Sequence, residues 1–102
     1  METIALIKQQ ITDNPVLLYM KGSPDMPQCG FSARAVNCLK DLGIAFAFVD
    51  VLANPEIRRE LPIYAEWPTF PQLWVKGELI GGSDIIAEMY ASGELKTIIT
   101  NS

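Results

Sequence analysis

Two short apolar segments, "VLLYM" (16–20) and "FAFVDV" (46–51), limit the fold more than any other feature of the chain. Each is a brief apolar run that fits a buried strand. Between them, residues 29–42 carry Phe31, Ala35, Cys38, Leu39 and Leu42 at helical spacing, and Gly43 follows as the expected C-cap. Strand, helix and strand in that order predict a β-α-β unit, with the two strands parallel and the crossover right-handed.

The remaining segments extend this unit. Residues 3–12 read as an amphipathic helix with Ile4, Ile7 and Ile11 on one face, stopped by Asp13-Asn14-Pro15. Residues 21–28 are a loop punctuated by Gly22, Pro24 and Pro27. Asn54-Pro55 opens a helix over 55–65, because Asn caps well and Pro suits the first turn. "PQLWV" (71–75), Lys76-Gly77 and "ELIGG" (78–82) read as a β-hairpin with a two-residue turn. Ser83-Asp84 starts a helix through about Tyr90, and a short helix follows Gly93. The order α-β-α-β-α-β-β-α-α places helices before, between and after the strands, so both faces of the sheet can be covered. The expected architecture is a three-layer α/β/α sandwich around a four-stranded mixed sheet, of thioredoxin-like type.

Composition narrows the function. A chain of 102 residues is expected to form one domain, 1–102, with a core that needs no staples. A net charge of −4 and eight scattered basic residues argue against a nucleic-acid partner. No apolar stretch approaches the roughly 18 residues of a membrane span. The N-terminus lacks a basic start followed by an apolar run and is not Arg-rich, so neither a signal nor a transit peptide is expected, and the expected location is cytoplasmic.

There are two cysteines, Cys29 and Cys38, and no histidine. Nine positions apart on one helix they would stand about 13 Å apart at ~1.5 Å rise per residue, too far for a disulfide. A structural zinc site inside one chain lacks ligands, so a soft metal would have to recruit donors from outside it. The predicted helix begins at or next to Cys29, so unpaired N–H groups and the positive end of the dipole face its sulfur, and Lys21 can add a positive charge. Both lower a thiol pKa, which points to a reactive thiolate rather than a packed cysteine. Cys38, mid-helix beside Leu39, reads as a packed apolar thiol. Ser32 stands where a dithiol enzyme would carry its resolving cysteine.

Three further features surround Cys29. In "WPTFPQL" (67–73), a cis bond before Pro71 would free the preceding amide for a peptide-like ligand, but an ordinary trans proline at a strand start fits the position equally well. "GGSD" (81–84) reads as a capped helix N-terminus whose N–H groups can bind a carboxylate, or as a plain cap after a hairpin. Arg58 can pair with a carboxylate, or serve as a surface charge. Trp67-Pro68 can be packing alone. Taken together they suggest one cleft for a short γ-linked peptide with two carboxylates and a thiol, for which glutathione is the obvious candidate.

The stretches "YMKGSP" (19–24), "QCGFS" (28–32), "WPTFPQLWV" (67–75), "GELIGGSDI" (77–85) and "GEL" (93–95) carry a resemblance that covers nearly the whole chain. It resembles the monothiol glutaredoxins of the CGFS type, and closely the single-domain bacterial ones. The resemblance implies Cys29 as the active-site thiol and Pro71 in cis. It implies glutathione held by Lys21, Phe31, Arg58, Thr69, Phe70 through its backbone, Pro71, Gly82, Ser83 and Asp84. It also implies a [2Fe–2S] cluster between two protomers, with Cys29 and one glutathione thiolate from each. Four thiolates satisfy such a cluster, and two chains with two glutathiones supply four. The long loop "GSPDMPQ" is associated in this family with cluster handling and with poor thiol-transfer activity. Many relatives have cysteine at the position of Ser83, so an internal disulfide known from them is not expected here.

Three functions follow from that resemblance. The first is a cluster carrier, monomeric without cluster and homodimeric with it, that delivers to iron–sulfur recipient proteins. The second is a glutathione-dependent thiol–disulfide oxidoreductase acting through Cys29 alone, since a second glutathione can resolve the intermediate. The third, compatible with the first, is an adaptor that heterodimerises with BolA-type proteins.

Overall fold

In the computed structural model, residues 2–100 are described; Met1, Asn101 and Ser102, the ends of the expected 1–102 domain, lie outside the described residues. The elements follow the expected order: α1 (Glu2–Asp13), β1 (Val16–Met20), α2 (Gly30–Asp41), β2 (Ala47–Asp50), α3 (Pro55–Ala65), β3 (Gln72–Val75), β4 (Glu78–Gly81), α4 (Ser83–Ser92) and α5 (Glu94–Thr100). The four-stranded sheet has the order β2-β1-β3-β4. β1 runs parallel to β2, pairing Leu17 with Ala47 and Met20 with Asp50. β1 is antiparallel to β3, pairing Val16 with Val75 and Tyr19 with Gln72. The β3–β4 hairpin is antiparallel, with an irregularity between Leu73 and Trp74.

The alternation of β1 explains the three layers. Successive side chains of a strand point to opposite faces, and all five residues of β1 are buried. Leu17 and Tyr19 pack with Ile7, Ile11, Ile57, Leu61 and Trp74, on the face covered by α1 and α3. Val16, Leu18 and Met20 pack with Ala35, Val36, Leu39, Leu73, Ile86 and Leu95, on the face covered by α2, α4 and α5. Each fully buried Leu or Ile contributes roughly 1.5–3 kcal/mol of transfer free energy, so neither face can be left open. Ile7 and Ile11 are buried one helical turn apart, which is the apolar stripe that docks α1.

Several boundaries move by a residue or two, each for a local reason. Cys29 is the N-cap of α2, with extended backbone (φ −151°, ψ 136°), and the helix starts at Gly30. Gly43 is one position beyond the cap residue Leu42 and takes the left-handed conformation (φ 68°), while its N–H donates to the Lys40 carbonyl. Phe31, which shares helical spacing with the core residues of α2, is 60 % exposed and faces the cleft instead of the core. Asn54 occupies the N-cap of α3, but its side chain donates to the Asp50 carbonyl rather than capping the helix. The expected side-chain cap at Ser83-Asp84 is also absent: Gly82 is the N-cap of α4, and no side chain bonds the helix start. Pro71 lies just outside β3, which begins at Gln72. The Lys76-Gly77 turn is confirmed, with φ of 51° and 82° at its two residues, the pair a type I′ hairpin turn requires. Among the described residues no helix is long and apolar enough to cross a membrane.

Candidate functional site

The site forms where the sheet ends meet the starts of α2 and α4. Cys29 is the N-cap of α2, which puts its sulfur beside the free N–H groups of the first turn. Its thiol pKa is lowered, first by hydrogen bonding from the Ser32 N–H, against which burial pushes up. The Phe31 N–H, the Lys21 charge and the Ser32 hydroxyl lower it further. The residue is partly exposed, which leaves the sulfur open to attack or to a ligand.

Ser32 has a role that reading it as a missing thiol did not anticipate. It is fully buried, and its Oγ accepts the Lys21 N–H at 3.1 Å. One hydroxyl thus ties the end of β1 to the first turn of α2 and adds to the lowering of the Cys29 pKa. The loop between them is closed on itself. Gln28 N–H donates to the Lys21 carbonyl at 2.9 Å, and Met26 N–H to the Ser23 carbonyl at 3.1 Å. Gly22 N–H donates to Asp50 Oδ1 at 2.9 Å, which pins the loop to the end of β2. Gly22 has φ 90°, and a Cβ there would fall 2.5 Å from the Met26 carbonyl oxygen, so no larger residue fits.

A cleft of about 660 Å³ opens beside Cys29. Cys29, Phe31 and Lys21 form its mouth, Arg58 and Pro62 of α3 one side, Trp67 to Phe70 a second, and Gly82 to Ile85 the third. Nine of the ten residues expected at the site therefore stand around one cavity: Lys21, Cys29, Phe31, Arg58, Thr69, Phe70, Gly82, Ser83 and Asp84. Pro71 is the exception. It does not line the cleft; it is buried behind it, with its carbonyl toward Gly82. The Phe70–Pro71 bond is cis.

The electrostatics favour an anion. Among the described residues neither Lys21 nor Arg58 takes part in an ion pair. Both face the uncapped start of α4, whose free N–H groups add partial positive charge. Ser83 is 8 % exposed, and its Oγ has no hydrogen-bond partner; the same holds for Trp67 Nε1. Asp84 is paired with Arg34 at 3.1 Å, with both side chains largely exposed. Cys38 lies in the α2/α4 core, and burial raises its thiol pKa, with Arg34 opposing. Pro62, Trp67, Pro68 and Ile85 also line the cleft. Trp67-Pro68 and Ile85 fall in the quoted stretches "WPTFPQLWV" and "GELIGGSDI" without a site role assigned to them, and Pro62, inside α3, carried no signal.

A partly exposed, low-pKa thiol at a helix start, beside a cationic cleft on a thioredoxin-like scaffold, defines a thiol-dependent redox or thiolate-ligand protein. Comparison with known proteins narrows this. The glutaredoxin family profile matches residues 16–80. The chain is 65 % identical to glutaredoxin 4 of Haemophilus ducreyi, over 97 % of this chain and 92 % of that one. It is 64 % identical to glutaredoxin 4 of Escherichia coli K12, over 95 % and 84 %. Among solved structures it is similar to reduced apo GrxS14 of poplar, with a TM-score of 0.79 and 46 % identity, over 92 % and 86 %. The chain belongs to the glutaredoxin family, and within it resembles the single-domain bacterial monothiol members, with Ser32 three positions after Cys29. Glutathione is the thiol that this family uses.

Proposed function

We propose that residues 1–102 act as one glutaredoxin domain that holds glutathione in the cleft and carries a [2Fe–2S] cluster shared between two protomers. The observation that carries this reading is the lone thiolate. Cys29 is accessible and has a lowered pKa, Ser32 replaces a resolving thiol, and Cys38 is packed into the core. A chain with one available thiolate cannot hold the cluster alone. Two chains with two glutathiones provide four soft donors, which suits this cargo.

The cleft supports the glutathione part. Lys21 and Arg58 offer charge to the ligand's carboxylates, and the uncapped N–H groups of Gly82, Ser83 and Asp84 offer a second carboxylate site. Thr69 and the Phe70 backbone form the strip against which a peptide would lie, with the cis Phe70–Pro71 bond shaping it from behind, and Phe31 stands at the same cleft as the sulfur. Glutathione seated this way brings its thiol to Cys29, so both soft donors stand at the cleft mouth. An external thiolate exchanges readily, which suits delivery to iron–sulfur recipient proteins. In this reading the protein works in the cytoplasm, where thiols stay reduced. It is monomeric without cluster and homodimeric with it, and a BolA-type protein can take the place of the second protomer.

The accessibility of Cys29 also favours a second reading, removal of glutathione from protein mixed disulfides. The Cys29 thiolate would attack the glutathione sulfur and release the protein thiolate, leaving Cys29 bonded to glutathione. A second glutathione thiolate would then attack that bond, releasing oxidised glutathione and restoring Cys29. Anaerobic reconstitution with iron, sulfide and glutathione separates the two. The carrier reading expects a brown dimer with about one iron per chain, lost when glutathione is omitted. A colourless monomer that reduces glutathione mixed disulfides briskly would replace it with the second reading.

A further inference from the structure

Gln72, the first residue of β3, is fully buried (0 % exposed) and uses its whole amide. Its Nε2 donates to the carbonyl oxygen of Trp67 at 3.0 Å and to that of Thr69 at 3.3 Å. Its Oε1 accepts the indole N–H of Trp74 at 3.2 Å. The side chain does not line the cleft. It sits behind the segment Trp67–Phe70, which does.

The two loop bonds fix more than the loop. With the carbonyls of Trp67 and Thr69 turned inward to the amide, the opposite side of the segment forms the cleft wall. The Trp67 indole in turn lies against the helix start: a Cβ on Gly82 would meet Nε1 at 3.3 Å, and the Pro71 carbonyl oxygen at the same distance. One amide therefore registers the α3–β3 segment, and through Trp67 the start of α4. These are the two walls that the reading above assigns to the peptide backbone and a carboxylate of glutathione. Loops hold their shape poorly unless their buried carbonyls are satisfied, and misplacing a wall by a fraction of an ångström weakens binding.

We infer that Gln72 is a positioning residue for glutathione: it sets the spacing between the Trp67–Phe70 wall and the start of α4 without touching the ligand. The inference rests on the glutathione reading of the cleft. It distinguishes the two ends of the Gln72 amide. The Nε2 end serves the site, and the Oε1 end, bonded to Trp74 in the α1/α3 core, serves the fold.

The test compares Gln72→Met, Gln72→Glu and Trp74→Phe. Each variant is read by glutathione calorimetry, melting temperature and the ultraviolet titration of the Cys29 thiolate. Gln72→Met, similar in volume but without donors, should bind glutathione about tenfold more weakly while the Cys29 titration stays in place. Gln72→Glu keeps the acceptor for Trp74 and at most one donor for the loop, so it should fall between; it carries the test if the Met variant does not fold. Trp74→Phe should lose melting temperature and keep its affinity within about twofold. Wild-type affinity in both Gln72 variants would overturn the inference. So would a loss of affinity in Trp74→Phe that matches Gln72→Met at equal loss of stability, because Gln72 would then be merely structural. Wild-type protein that fails to bind glutathione would overturn the reading of the cleft, and this inference with it.

Discussion

The two cysteines of the chain stand near and within the same helix and have opposite chemistry. Cys29 is the cap of α2, partly exposed, with helix N–H groups and the Lys21 charge lowering its pKa. Cys38 is in the middle of α2, packed among Val36, Leu39 and Ile86, and burial raises its pKa. The residue type is the same, and the distinction comes from position. The cap offers unpaired donors, whereas mid-helix every N–H is already engaged and the Cys38 sulfur sits against apolar core residues with the Arg34 and Asp41 charges nearby. A thiol is made reactive here by where the helix begins.

The largest expected effect tests that contrast directly. Cys29→Ser should abolish both cluster binding and the mixed disulfide with glutathione while leaving the fold intact. Cys38→Ser should leave both unchanged and cost some stability through lost packing. Visible absorption after reconstitution and mass spectrometry after treatment with oxidised glutathione would check the pair. Retention of cluster in the Cys29 variant, or its loss in a well-folded Cys38 variant, would break the contrast.

The same contrast explains what was legible in the sequence. The element order and the two-sided core could be read because "VLLYM" and "QLWV" are short apolar runs with strong local punctuation. The identity of Cys29 as the reactive thiol could be read because a helix start is a local feature. The roles of Ser32 and Gln72 could not. Each depends on a partner brought near by the fold, Lys21 for Ser32 and Trp67 for Gln72, and neither pairing has periodicity or spacing that marks it. Phe31 shares helical spacing with core residues yet stands exposed at the cleft, because spacing alone does not say where along a helix the core ends. Asn54 and Ser83 sit at or beside helix starts, as their residue types suggest, yet Asn54 bonds Asp50 and Ser83 Oγ bonds no protein atom. Residue preference located the helix ends but not the partners of the side chains there.

The next prediction uses pH. Alkylation at neutral pH should modify Cys29 rapidly and Cys38 only in unfolded protein, as peptide mass mapping would show. Stability should respond to pH with opposite signs. The folded pKa of Cys29 lies below its unfolded value, so between the two the unfolded chain binds more protons, and this group adds stability as pH rises. The folded pKa of Cys38 lies above its unfolded value, so this group removes stability once pH passes the unfolded value. Relative to wild type, Cys29→Ser should thus lose ground as pH rises toward 9, and Cys38→Ser should gain ground above it. Denaturant titrations of the three proteins at several pH values would read this. Parallel pH curves would mean that the two thiols sit in equivalent environments.

A smaller effect is expected at Ser32. Ser32→Ala leaves the part-buried Lys21 N–H without its acceptor, which costs about 1 kcal/mol. It also removes the Ser32 hydroxyl from Cys29, so the Cys29 pKa should rise, although the Ser32 N–H, the larger cause, remains. A melt and a thiolate titration would check both. If the titration does not move, the hydroxyl serves only the fold.

The smallest effect should come from Arg34, which lies on α2 between the two cysteines. It pairs with Asp84 across the rim of the cleft, but both side chains are largely exposed, so Arg34→Gln should cost no more than about 1 kcal/mol and less at high salt. Its value lies in its selectivity. The Arg34 charge lowers the Cys38 pKa and is not among the causes acting on Cys29. Arg34→Gln should therefore raise the Cys38 pKa further while the Cys29 titration stays fixed. Separate titrations in the Cys29→Ser and Cys38→Ser backgrounds would resolve the two thiols. A shift at Cys29 as large as that at Cys38 would mean that charge along α2, and not the free N–H groups at its start, governs the reactive thiol.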